Sequence, residues 1–156
     1  MRAVAAGISY LASPHTHPFV AAAFGILIHR HQHRGGLAPV AASLGALAVD
    51  NATRLVVHQR RPPKAGRHHG RNRFGYPSGH TTSATAIAIA AAGEISDQLS
   101  DRERKLLWTA VAAISISMGW SRLYLDEHWI DDVFGGWMAG IALGFGSIAL
   151  TSGVIE

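Results

Sequence analysis

His128 and Asp132 stand four residues apart. On a helix that spacing puts both side chains on one face. A carboxylate so placed accepts from one imidazole nitrogen, fixes the tautomer and leaves the other nitrogen as base or nucleophile. By itself the pair also reads as a helix-start histidine beside an acid that favours the helix dipole. A second group is Pro77-Ser78-Gly79-His80. Ser78 can cap a helix there, Gly79 lets an anion approach freed backbone N–H groups, and the dipole favours phosphate at that end. His80 then projects from the first turn, although an ordinary Pro-Ser-Gly cap with an interfacial histidine has the same sequence. The third group is Arg54, Arg61 before Pro62, and Arg122 after Ser121. A lone arginine at the end of an apolar span commonly snorkels to the interface. Three guanidiniums beside a helix N-terminus are costly unless they receive a multivalent anion, and their forks match phosphate oxygens. Residues of these types suit phosphoryl transfer, which needs in-line positioning and charge neutralisation above all.

The elements that hold these residues are defined by where charge is missing. Leaving histidine aside, residues 3–29, 35–49, 74–93, 106–121 and 133–155 carry no charge. A soluble helical protein shows a charged residue every turn or so on its wet face. The longest tracts match the ~20 residues that cross ~30 Å of hydrocarbon. The pattern therefore predicts an all-α, integral-membrane helix bundle of five to six helices. Residues 2–12 form a short apolar helix, too short to span alone. Residues 18–28 form a second, either separate or joined to the first as one broken element. Residues 29–36 connect them to a helix over 37–57, and Pro62-Pro63 opens a basic loop over 58–76. Further helices follow over 77–94, 106–121 and 130–155, with a charged connector over 96–105. The 156 residues make one domain, with N-terminal helices over 1–36 and a four-helix core over 37–156. If the four core helices alternate across the bilayer, Arg54, residues 58–80, Arg122 and His128–Asp132 fall on one side.

Together the spacings read Arg54-x6-Arg61-Pro62, Pro77-Ser78-Gly79-His80 and Ser121-Arg122-x5-His128-x3-Asp132. In these motifs the chain resembles the type 2 phosphatidic acid phosphatase superfamily, membrane branch, whose patterns are Lys-x6-Arg-Pro, Pro-Ser-Gly-His and Ser-Arg-x5-His-x3-Asp. Ten of the eleven specified positions match, in order. The departure is Arg54 for lysine, a broad fork for a compact ammonium. The resemblance implies a metal-independent lipid phosphatase without a cofactor, acting on a lipid phosphate or polyprenyl (pyro)phosphate. It implies that His128 attacks phosphorus and becomes a phosphohistidine, that Asp132 orients it, and that His80 protonates the leaving oxygen and then activates water. Arg54, Arg61, Arg122, Ser78 and the Gly79 N–H would cradle the phosphate oxygens. It places the protein as multi-pass in a bacterial plasma membrane. Two other functions share these residues: a vanadate-dependent haloperoxidase, which the uncharged spans disfavour, and a lipid-phosphate-binding protein without turnover.

The remaining features read more plainly. Eight of 14 basic residues lie at 54–73 or Arg122, and such a basic balance suits nucleic acid or anionic substrates; with the resemblance to membrane phosphatases, no nucleic-acid partner is expected. No cysteine is present, so disulfides are excluded. Asp50, a carboxylate inside an apolar span, is a functional candidate by its place, but an i,i+4 partner for Arg54 is the simpler reading; Asn51 is a candidate for a bond between helices. His29, His31, His33, His68 and His69 read as wet loop residues rather than metal ligands. Trp108, Trp120, Trp129, Trp137 and Tyr124 sit near span ends as interfacial anchors do. Asp126, Glu127 and Asp131 crowd the turn of His128 and could tune pKa values there, although solvated acids at a helix start are the plainer reading. Gly136, Gly140 and Gly144 form a small-xxx-small face suited to another helix, including that of a second copy in a homo-oligomer.

Overall fold

A computed structural model describes residues 1–32, 35–65 and 73–152. Among the described residues the fold is all-α: α1 (Arg2–Leu11), α2 (His17–Gln32), α3 (Leu37–Val56), α4 (Gly79–Ser96), α5 (Asp101–Tyr124) and α6 (Ile130–Ser152). The helix expected to reach residue 155 is described to Ser152, and residues 153–156 lie outside the described residues. α1 and α2 are separate helices. In the turn between them the Thr16 hydroxyl donates to the Tyr10 carbonyl and meets Ser13 Oγ at 2.9 Å.

One boundary differs from expectation. The charged connector is only residues 97–100, because α5 begins at Asp101 and takes Arg102, Glu103, Arg104 and Lys105 into its first turns. Ser100 and Glu103 form a reciprocal capping box, with the Ser100 N–H donating to Glu103 Oε2 at 3.0 Å. The box satisfies two end donors and so starts the helix well before its apolar part.

The core is organised around α4. Its apolar and small polar residues are buried on every side, among them Thr81, Thr82, Ala86, Ile89 and Ala90. Such a helix needs neighbours all round, and it packs against α2, α3, α5 and α6. Several of its hydroxyls are bonded within the bundle: Thr82 donates to the Ser78 carbonyl at 3.0 Å and Ser83 to the Ala12 carbonyl at 3.2 Å, whereas the buried Thr85 hydroxyl has no hydrogen-bond partner among the described residues. The Gly136, Gly140 and Gly144 face meets α4 of the same chain. A Cβ on Gly140 would stand 2.6 Å from Thr85 Cβ and 2.8 Å from the Thr82 carbonyl. The face is therefore in contact with α4 inside the molecule. Gly140→Leu would overpack this contact, so we expect a loss of about 1–3 kcal/mol, read as a lower unfolding temperature in detergent.

At one end of the bundle the C-termini of α3 and α5 meet the N-termini of α4 and α6. At the other, the Glu94 carboxylate near the end of α4 accepts from the Gly36 and Ala38 N–H groups at 2.6 and 2.9 Å. Those are end donors of α3, which a carboxylate satisfies while favouring the helix dipole. Gly35 and Gly36 adopt φ of 76° and 89°, which glycine reaches without strain.

α5 and α6 are the two described helices long and apolar enough to cross a membrane, with only 28% of each apolar window buried. A soluble core helix would bury most of that window. Instead Phe134, Met138, Ile141 and Phe145 form an exposed stripe along α6, a surface suited to hydrocarbon. Trp120 and Tyr124 stack on each other near the end of α5, both partly exposed. Trp137 departs from the anchor reading, since its indole N–H donates to the Ser115 carbonyl at 3.0 Å and ties α6 to α5. Asn51 likewise bonds within its own helix, to the Leu47 carbonyl at 2.8 Å.

Candidate active site

His128 lies between α5 and α6, where residues 125–129 fold back on the end of α5. The Glu127 N–H donates to the Arg122 carbonyl at 3.1 Å, and Asp126 takes a φ of 58°. Asp132, fully buried in the first turn of α6, accepts through Oδ2 from the Trp129 N–H at 2.9 Å. This is the backbone half of a capping box, so the same carboxylate that starts α6 is held still for a second task. That task is His128, whose Nδ1 lies 3.1 Å from Asp132 Oδ2.

Arg61 reaches the pair from the loop after α3. The Gly75 N–H donates to the Gln59 carbonyl at 2.8 Å, and Arg60 and Phe74 form an isolated antiparallel bridge. The Trp129 indole donates to the Arg60 carbonyl at 2.9 Å, and the Gln59 side chain to Asp131 Oδ2 at 2.7 Å. These bonds pin the basic loop to the start of α6. Arg61 Nη1 then donates to His128 Nε2 at 2.8 Å and to the Glu127 carbonyl at 2.9 Å. A guanidinium has only donors. Nε2 must therefore accept, which places the His128 proton on Nδ1, donated to Asp132. The contacts thus select the tautomer whose Nε2 lone pair faces the arginines.

Burial, and then the charges of Arg61 and Arg122, hold the His128 imidazole well below its ordinary pKa. It is neutral at pH 7. His80, in the first turn of α4, stands within electrostatic reach of Arg122, His128 and Arg61.

The other expected anion-binding residues meet at the same end. Arg54 donates through Nε and Nη2 to Asp50 Oδ1 at 3.1 and 2.8 Å, the i,i+4 pairing read from sequence. A Cβ on Gly79 would stand 2.8 Å from that same Asp50 oxygen, so the start of α4 closes directly on α3. Ser78 sits at the N-cap of α4 and is fully buried, but it does not cap with its side chain. Its Oγ instead accepts from Thr81 Oγ1 at 3.0 Å, and its N–H donates to the Asp132 carbonyl at 2.9 Å. Ser78 thereby joins α4 to α6 at the level of the His128 pair.

Arg122, buried at the end of α5, donates through Nη1 to Ser9 Oγ of α1. Its Nη2 lies 3.6 Å from Glu127 Oε2. Its Nε is buried without a hydrogen-bond partner among the described residues. Two participants lie beyond the site residues expected from sequence. Ser9 sits 113 positions from Arg122, with nothing local to mark it. Glu127, read as a solvated acid, is half-buried between Arg122 and Arg61, 3.9 Å from Arg61 Nη1. Among the described residues no three His, Cys, Asp or Glu side chains gather as metal ligands would. His29 and His31 lie on the last turn of α2. His33, His68 and His69 lie outside the described residues.

Comparison with known proteins gives a consistent picture. A family model described as the PAP2 superfamily matches residues 16–155. The chain is 31% identical over 74 residues to phosphatidylglycerophosphatase B of Bacillus subtilis, covering 46% of this chain and 36% of that protein. It is 25% identical over 138 residues to undecaprenyl-diphosphatase of Sulfolobus acidocaldarius, covering 81% of this chain and 60% of that protein. Both alignments thus span less than two thirds of the relative. In fold it is similar to the crystal structure of a transmembrane PAP2-type phosphatidylglycerolphosphate phosphatase from Bacillus subtilis. The TM-score is 0.86 at 22% identity, over 99% of this chain and 78% of that one.

Proposed function

Because the chain belongs to the PAP2 superfamily, whose model matches residues 16–155, we propose that it is a multi-pass membrane lipid phosphatase working through a phosphohistidine on His128. The observation that carries this is the neutral His128 with Nδ1 on Asp132 and Nε2 turned toward Arg61. An entering phosphate draws the Arg61 guanidinium onto its oxygens and uncovers the Nε2 lone pair. Nε2 attacks phosphorus, the phosphorus–oxygen ester bond breaks, and His80 gives a proton to the departing oxygen. His80 then takes a proton from water, whose oxygen attacks the phosphohistidine, releasing phosphate and restoring His128. Arg54, Arg61, Arg122, Ser78 and the Gly79 N–H surround the phosphoryl group. The arginines supply the charge neutralisation that phosphoryl transfer requires.

An apolar cleft supports a lipid as the substrate. It lies between α1, α2, α4 and α5 with a volume of about 510 Å³, within the range of ligand pockets. Ala12, His17 and Met118 line it close to Arg122 and His80, and Ile95 and Leu107 line its far end. From Ala84 to Ile95 it follows α4 for about 16 Å at 1.5 Å per residue. That length suits a hydrocarbon chain whose head group is at His128. The curated relatives carry names of phosphatidylglycerophosphate and undecaprenyl-diphosphate hydrolases, so both lipid classes belong in the first panel. The test is inorganic phosphate release from that panel by the detergent-solubilised chain with EDTA present. No release from any lipid phosphate would refute the reading, and loss on chelation would refute its metal-free step.

The lowered His128 pKa sets a direction for pH dependence. Attack needs the neutral ring, so activity is lost as pH falls through a pKa well below the ordinary 6.5. Arg61→Gln removes the largest positive charge acting on the ring, so its pKa rises. The acid limb of kcat/KM should therefore move to higher pH in Arg61→Gln, on top of a general loss of rate. Ionisation of the substrate phosphate is common to both proteins and cancels in the comparison. An unmoved limb would separate His128 from the titration.

A further inference from the structure

α1 brings one hydroxyl to the site from outside the three motifs. The helix runs Arg2–Leu11, before the segment that the superfamily model matches. At about 15 Å it is too short to cross the hydrocarbon alone. Ala5, Ser9 and Ala12 are buried, and side chains so small let α1 lie close along α5. The Ser83 hydroxyl of α4 donates to the Ala12 carbonyl and ties the end of α1 to α4. α1 is thus placed against the two helices that carry Arg122 and His80. Across the contact with α5, Arg122 Nη1 donates to Ser9 Oγ. Arg122 Nε, on the same guanidinium, is buried without a hydrogen-bond partner among the described residues. A buried donor left unmet costs free energy until an acceptor reaches it.

We propose that Ser9 is a positioning residue for phosphate, holding the Arg122 guanidinium so that Nε is presented to an incoming phosphoryl oxygen. This rests on the reading that Arg122 receives the phosphoryl group. The guanidinium is planar, so one bond at Nη1 limits how the whole fork can turn. A hydroxyl does this without adding a negative charge that would compete with the anion. Without Ser9 the long side chain keeps rotamer freedom, which phosphate binding must then remove. A merely structural Ser9, serving only to pack α1 on α5, has a different signature. Its loss would change phosphate binding by the same factor whether or not Arg122 is present.

The experiment is a double-mutant cycle on the dissociation constant of inorganic phosphate, by titration calorimetry on the full chain in detergent. The variants are Ser9→Ala, Arg122→Met and the two together. Alanine keeps the small buried face of α1, and methionine keeps a long side chain without a donor. The expected result is roughly tenfold weaker phosphate in Ser9→Ala, the scale of ordering one long side chain on binding. In the Arg122→Met background the same substitution should change binding less than about twofold, because nothing is left for Ser9 to hold. Unchanged or tighter binding in Ser9→Ala, or an equal factor in both backgrounds, overturns the proposal. If Arg122→Met alone binds phosphate as wild type does, the failure lies with the reading of Arg122. If Arg122→Met weakens binding and Ser9→Ala does not, it lies with Ser9.

Discussion

Replacing His128 by alanine is expected to lower phosphate release by at least about 10⁴-fold, the scale on which removing a nucleophile acts. The variant should still fold, because the groups around His128 keep other partners. Asp132 Oδ2 retains the Trp129 N–H, and Arg61 Nη1 retains the Glu127 carbonyl. The stability cost is then that of lost hydrogen bonds in a buried site, about 1–3 kcal/mol. His80→Ala gives the contrast. With a lipid phosphate it should lose about 10²–10⁴-fold, the worth of general acid–base help. With an aryl phosphate, whose leaving group needs no proton, attack by His128 should survive while hydrolysis of the intermediate stalls. Phosphate covalently trapped on His128 in His80→Ala is the positive signature. Activity of His128→Ala within tenfold of wild type would remove it as the nucleophile.

Asp132→Asn is expected to cost about 10²–10⁴-fold in kcat, between the loss of one electrostatic donor and the loss of a tautomer. The geometry explains why so close a replacement fails. An asparagine can satisfy His128 Nδ1 and the Trp129 N–H only by placing its oxygen where Oδ2 stands. Its NH₂ then occupies the place of Oδ1, which is buried without a hydrogen-bond partner among the described residues. Turned the other way, the amide donates toward Nδ1 and drives the histidine proton onto Nε2, against Arg61. Either arrangement also removes the negative charge that balances the ring as it bonds to phosphorus. Single-turnover rates with KM measured alongside would check this, since the loss should fall on kcat. A twofold effect would mean that Asp132 serves mainly to start α6.

What could be read from the sequence follows how local each interaction is. His128 with Asp132 and Asp50 with Arg54 are i,i+4 pairs, and both are present. The meeting of Arg61 with His128 spans 67 positions. It was legible because the motifs of a family record it, not because any helix period does. The Gly136 face predicted close helix contact correctly, but spacing cannot say whether the partner is α4 or a second chain. The start of α5 was misread although its capping box is written in Ser100 and Glu103. The density of charge there outweighed it, and charges at a membrane surface can ride on a helix as readily as on a loop. Ser9 was out of reach, as one hydroxyl in an apolar run has no pattern. Glu127 was hidden by its neighbours: three acids close to a helix start look like solvent-facing charge until the fold turns one inward.

The cleft along α4 has a consequence for selectivity. Its length of about 16 Å is roughly half the ~30 Å of hydrocarbon in a bilayer. If a lipid tail lies in this cleft as proposed, Ile87, Ala91 and Ile95 would enclose only its first stretch, and the rest would lie in lipid. The protein would act as a short ruler, sensing how thick and how branched the tail is near the head group and blind to where it ends. Homologous substrates should therefore differ in turnover while they are shorter than the cleft and become indistinguishable once they outgrow it.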